Sequence, residues 1–94
     1  QTKTFLETDI NAFLKKHPNK KIGILLFNQR IENNEFIHQE ILSEHGNFKQ
    51  AAVNLYAAMH RLDKLGLDLI VAERFPEIDL GKSINDRLER ATKN

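Results

Sequence analysis

The stretch Asn47-Phe-Lys-Gln-Ala-Ala-Val-Asn-Leu-Tyr-Ala-Ala-Met-His-Arg-Leu-Asp-Lys-Leu-Gly66, followed by Leu67-Asp-Leu-Ile-Val-Ala72, decides the fold. Phe48, Ala52, Leu55, Met59, Leu62 and Leu65 recur at helical spacing, and Ala51, Tyr56 and Ala58 widen the stripe. Lys49, Asn54, Arg61 and Lys64 fall on the other side. Asn47 is a good N-cap, with Gln50 three residues on in a variant of the capping box. Gly66 stands where a left-handed residue ends a helix. Leu67–Ala72 is too short and too apolar for an amphipathic helix and reads as a strand.

Upstream, Ile22-Gly-Ile-Leu-Leu-Phe27 is a second apolar run, read as a strand buried on both faces. A long helix between two such strands is a βαβ unit, which makes the strands parallel. Phe36-Ile-His-Gln-Glu-Ile-Leu42 alternates poorly and fits a strand or a helical turn. A strand is preferred, because Ser43-Glu-His-Gly46 reads as a turn before the next helix. Only eight residues separate Phe27 from Phe36, short for a helical crossover. Either those two strands pair antiparallel, or the gap runs back without pairing them directly.

At the amino end, Thr4-Phe-Leu-Glu7 has the capping-box pattern and Thr8-Asp9 offers a second helix start. Leu6, Ile10, Phe13, Leu14 and His17 then make one helical stripe, with Lys15 and Lys16 at its end and Pro18 beyond. Asp79-Leu-Gly81 opens a last helix whose apolar positions are Leu80, Ile84, Leu88 and Ala91. The expected order is α-β-β-α-β-α, a small layered α/β domain with a mainly parallel sheet flanked by helices.

Composition bounds the chemistry. The chain has 94 residues, 40% hydrophobic and 29% charged, with a formal net charge of +1. That suits one small folded domain without a global nucleic-acid field. No stretch reaches the ~18 apolar residues of a membrane span. Cysteine is absent, which removes disulfides, thiolate metal sites and a cysteine nucleophile. The chain opens on Gln1, so it is expected to be processed or cut from something longer.

No motif assembles a reaction centre. The histidines at 17, 38, 45 and 60 make no two-ligand spacing on one helix. Glu35-Phe-Ile-His38, placed on a strand, sends its ends to opposite faces. Ser43 and Ser83 lie in no nucleophile elbow, and the glycines at 23, 46, 66 and 81 form no phosphate loop. Gly81, Lys82 and Ser83 come nearest to an anion site, although Gly81 is read first as a tight turn. Lys15, Lys16, Lys20 and Lys21 form one basic cluster, and Arg87, Arg90 and Lys93 another. Neither is interleaved with the aromatics that stack bases. Glu32, Glu35, Glu40 and Glu44 form an acidic stretch with no evident general-acid partner.

Ala51–Asp63, Gly66–Glu73, and Gly81 with Ile84-Asn-Asp-Arg-Leu88 and Arg90-Ala91 together resemble the C-terminal domain of two-domain threonylcarbamoyl-AMP synthases. The likeness is good over residues 47–92, weaker over 20–42 and negligible before that. It implies a Rossmann-like accessory domain spanning residues 1–94, partnered by a YrdC-like catalytic domain in the same polypeptide, in the cytoplasm. The whole enzyme would use ATP, L-threonine and bicarbonate, with a divalent metal, to make threonylcarbamoyl-adenylate. That product feeds N6-threonylcarbamoylation of adenosine 37 in tRNA. Those nucleotide, threonine and metal sites belong to the catalytic domain, so the resemblance carries no catalytic, cofactor or metal residue onto this chain. Interface or ligand candidates are Glu73, Arg74 and Phe75 at the strand end, and Gly81, Asn85 and Arg87 on the facing helix. Phe75 is an apolar anchor if it faces outward, and a core residue otherwise. Two rival functions remain: a small-molecule or nucleotide sensor at the carboxyl edge of the sheet, and a tRNA-contacting module using the lysine cluster.

Overall fold

Four parallel strands and three helices make up the computed structural model, which describes residues 2–93. In chain order they are β1 (Lys3–Glu7), α1 (Ile10–Lys16), β2 (Ile22–Leu26), β3 (Ile37–Ile41), α2 (Phe48–Asp63), β4 (Leu69–Glu73) and α3 (Leu80–Ala91). The sheet order is β1-β4-β2-β3, with every neighbouring pair parallel. The central strands are the two apolar runs, as a sheet covered on both faces requires.

Side-chain alternation sorts the core into two layers. Ile22, Ile24 and Leu26 of β2 and Val71 of β4 pack with Ile10 and Phe13 of α1. Leu25 of β2 and Ile70 and Ala72 of β4 pack with Ala51, Leu55, Ala58 and Leu62 of α2 and with Ile84 and Leu88 of α3. The sheet is therefore sandwiched between α1 on one side and α2 with α3 on the other. Among the described residues no helix is long and apolar enough to cross a membrane.

Three sequence-based expectations change. Thr4–Glu7 is not a helix start but most of β1, paired with β4 from Lys3↔Leu69 to Glu7↔Glu73. Thr4 is buried in that ladder, and without β1 this side of β4 would be an unpaired edge. The second start is the true one: the Asp9 carboxylate accepts the Ala12 N–H at 3.0 Å and caps α1. The element order is thus β-α-β-β-α-β-α.

β2 and β3 pair directly and in parallel, contrary to both expected arrangements. The connection between them contains no helix. Instead the Gln39 carboxamide holds the returning chain. Its Oε1 accepts the Ile31 N–H at 2.9 Å, and its Nε2 donates to the Ile31 carbonyl at 2.9 Å and to Asn33 Oδ1 at 2.6 Å. Ile31 packs against the α1-side core, which closes over β2 without a crossover helix.

The buried face of α3 is Gly81, Ile84, Asn85 and Leu88, whereas Leu80 is 43% exposed. Gly81 sets that rotation. A Cβ there would sit 2.0 Å from the Pro76 carbonyl oxygen, so only glycine lets the helix start beneath the β4–α3 loop. The preceding Asp79 has φ 48° and ψ −134°, a region glycine favours, and its side chain makes no capping bond.

Asn47 caps α2 as expected, its Oδ1 accepting the Gln50 N–H at 2.8 Å. The reciprocal half of the box goes elsewhere. Buried Ser43 accepts the Asn47 N–H and donates to Gln50 Oε1, tying the end of β3 to the helix start. Gly66 has φ 65°, the left-handed turn its position called for.

Candidate functional site

Parallel α/β sheets present ligand sites where the strands end at their carboxyl edge. Here β1, β2 and β4 end at Glu7, Leu26 and Glu73. A cleft of about 760 Å³ opens there, lined by Thr8, Asp9, Leu26, Arg30, Glu32 and Glu73 among others. A smaller hollow beside it is lined by Phe27, Asn28 and the run Glu73–Pro76. Phe27 lies between Phe48 and Phe75, with ring centroids 4.9 and 4.7 Å away, forming an aromatic floor beneath this corner.

The polar groups at this edge are largely committed to the chain itself. Glu73 Oε1 accepts the Phe27 N–H at 3.0 Å, which ties the end of β4 to the end of β2. Asp9 is occupied in capping α1. The Arg74 guanidinium donates to Glu89 Oε1 at 3.0 Å, and its backbone N–H continues the β1 ladder to the Glu7 carbonyl. Asn85 is 1% exposed. Its Oδ1 accepts the Phe75 N–H at 2.7 Å, and its Nδ2 donates to the Phe75 carbonyl at 2.9 Å and to Glu77. This is the same device as Gln39 on Ile31: a side-chain carboxamide pairs with both backbone groups of one residue and fixes a loop that has no ladder of its own.

The structure thus separates the sequence-derived candidates. Phe75 is 3% exposed, a core residue and not an outward anchor. Gly81 serves a close backbone approach, and Asn85 is consumed internally. Glu73 and Arg74 are half-buried and partnered. Arg87 alone of the six is exposed, and among the described residues it pairs with no carboxylate. It lies with Arg90 along a groove between α2 and α3, over Leu55, Tyr56 and Met59. Sequence reading missed this groove. The available signal was Tyr56, a large ring on a helix face otherwise read as core, which is 84% exposed.

One ion pair perturbs titration. Arg61 of α2 reaches across to Glu40 of β3, with Nη2 2.8 Å from Oε1 and Nε bonded to both oxygens. That hydrogen bonding holds the Glu40 carboxyl below the ordinary glutamate range, against the opposing effect of its partial burial. His38 lies 3.4 Å from Glu40 on the same strand face. Among the described residues no group of three or more His, Asp and Glu side chains is placed to hold a metal ion. The carboxyl-edge cleft carries Asp9, Glu32 and Glu73 against Arg30, the wrong balance for a polyphosphate. These residues do not fit ATP or its metal.

The fold is a three-layer parallel α/β module whose edge residues hold its own loops together. The family model for the threonylcarbamoyl-AMP synthase C-terminal domain matches residues 2–92. The chain belongs to that family. The match includes β1, α1 and β2, beyond the stretch where the sequence resemblance was strong.

Proposed function

We propose that this chain is the accessory domain of a threonylcarbamoyl-AMP synthase in tRNA N6-threonylcarbamoyladenosine biosynthesis. It docks on a YrdC-like catalytic domain of the same polypeptide and modulates closure over the substrates, in the cytoplasm. ATP, threonine, bicarbonate and the divalent metal are bound by that catalytic domain. Family membership supports the enzyme assignment.

The observation that carries the docking role is the use of polar groups at the carboxyl edge. Glu73, Asp9 and Asn85 hold backbone amides of this chain, which leaves them poorly placed to work on a substrate. A rigid body of this kind contributes through its surface. Lids and adjoining domains act in this way on the exclusion of water and the rate of product release. The test compares turnover and ATP affinity of the full-length synthase with and without residues 1–94. Docking predicts that deletion changes at least one of them, and unchanged values for both sink the role.

The carboxyl-edge cleft supports a second reading, a sensor of a small uncharged or cationic molecule. Calorimetry of the chain with threonine separates the two, since docking predicts no heat from it, and ATP and AMP serve as anionic controls that are silent on either reading.

A further inference from the structure

The α2/α3 groove is built differently from the carboxyl edge. Its floor is apolar: Leu55 lies at the base, with Met59 and the ring of Tyr56 along one wall. The other wall is cationic, from Arg87 and Arg90. The groove encloses about 420 Å³, room for an aromatic or branched anchor side chain. Val53, one turn before Tyr56, is 72% exposed and extends the apolar surface along α2.

The cations along it are not neutralised from within. The acid at helical spacing on α3 is Asp86, four residues before Arg90, and among the described residues it is in no ion pair, while Glu89 is turned to Arg74. Among the described residues neither Arg87 nor Arg90 is in an ion pair. Exposed tyrosine and arginine beside a half-buried methionine around one hollow is the composition of an interface core, not of an ordinary helix surface. Charge complementarity selects the occupant: an apolar anchor flanked by carboxylates. RNA fits less well, because Tyr56 supplies one aromatic ring to the hollow where base stacking uses several, and the chain as a whole carries a net charge of only +1.

We infer that the α2/α3 groove, with Tyr56, Met59, Arg87 and Arg90, is the surface on which an acidic, apolar-anchored segment of the synthase's catalytic half docks. The inference rests on the docking role proposed above and names its surface. Arg87 and Arg90 steer and orient the segment, and Tyr56 and Met59 bury its anchor.

The test titrates the separately produced catalytic half with this chain by calorimetry, using the wild type, Tyr56→Ala and the double variant Arg87→Glu/Arg90→Glu. All three positions lie on the surface or its groove wall, and circular dichroism checks that each variant keeps the fold. The wild type is expected to bind, the variants to lose roughly tenfold or more, and added salt to weaken the wild type more than the charge-reversed form. If the wild type binds and the variants bind equally well, the groove is not the docking surface, although the docking role stands. If the wild type does not bind, the docking role itself falls and the inference with it. An unmodified tRNA transcript that binds, and that loses binding in the charge-reversed variant, makes the groove an RNA surface and overturns the inference.

Discussion

Replacing Asn85 by alanine removes the one side chain that fixes the loop between β4 and α3. Asn85 is buried, and its carboxamide satisfies both the N–H and the carbonyl of Phe75. Neither group has a ladder partner, because β4 ends at Glu73. Each backbone group orphaned in a buried place costs about 1–3 kcal/mol. Alanine returns about 0.5 kcal/mol through its better helix propensity. The balance is a loss of about 1.5–5.5 kcal/mol, where water entering the vacated space favours the lower end. For a chain of this size each kcal/mol corresponds to about 4–8 °C in Tm, so Asn85→Ala is expected to melt lower by roughly 6 °C at the least and roughly 40 °C at the most. Urea unfolding measures the free energy, and amide exchange reads the Phe75 N–H directly. Arg87→Ala, on the exposed side of the same helix, is the control and should stay within about 0.5 kcal/mol of wild type. A stability of Asn85→Ala within that same margin, with Phe75 protection unchanged, would refute the clamp.

The other predictions are local. Gly81→Ala should destabilise by about 1–3 kcal/mol despite the helix propensity it gains, because its Cβ meets the Pro76 carbonyl at 2.0 Å; a rise in Tm would show that this approach is not tight. Asp79→Gly should stabilise by about 0.5–1.5 kcal/mol, since it relieves a positive φ and gives up no capping bond; a loss in chemical denaturation would contradict it. The folded-state pKa of Glu40 is lowered, so its contribution is present above the ordinary glutamate range and is lost as pH falls through the folded value. Glu40→Gln should therefore flatten the acid limb of the stability profile, and an acid limb as steep as wild type counts against the Arg61 pairing.

The parts of the fold legible in the sequence are those where local and global preferences agree. The stripe and cap of α2, the double burial of β2 and β4, and the turn at Gly66 all follow from short-range patterning. β1 was hidden because Thr4-Phe-Leu-Glu7 satisfies a capping box and an edge strand equally well. Only its pairing with β4, more than sixty residues away in sequence, decides between them. The parallel β2–β3 pair was hidden for a related reason. Its short return depends on Gln39 binding Ile31, and a glutamine on a strand does not announce which backbone its carboxamide will meet. Asn85 was picked out by its position opposite a strand end, but its burial depends on how Gly81 rotates α3. The groove was concealed because Leu55, Tyr56 and Met59 look like core positions until the packing of α3 leaves Tyr56 outside.

The proposed role is contact with a catalytic partner, with the reaction carried out in that partner. Pyrophosphate release from ATP in the presence of L-threonine and bicarbonate tests it most directly, measured for the chain alone, for the catalytic half alone, and for the two mixed. The account predicts background release from the chain alone and a mixture whose rate or ATP dependence differs from that of the catalytic half. Release by the isolated chain, or a mixture indistinguishable from the catalytic half at saturating chain, would contradict it.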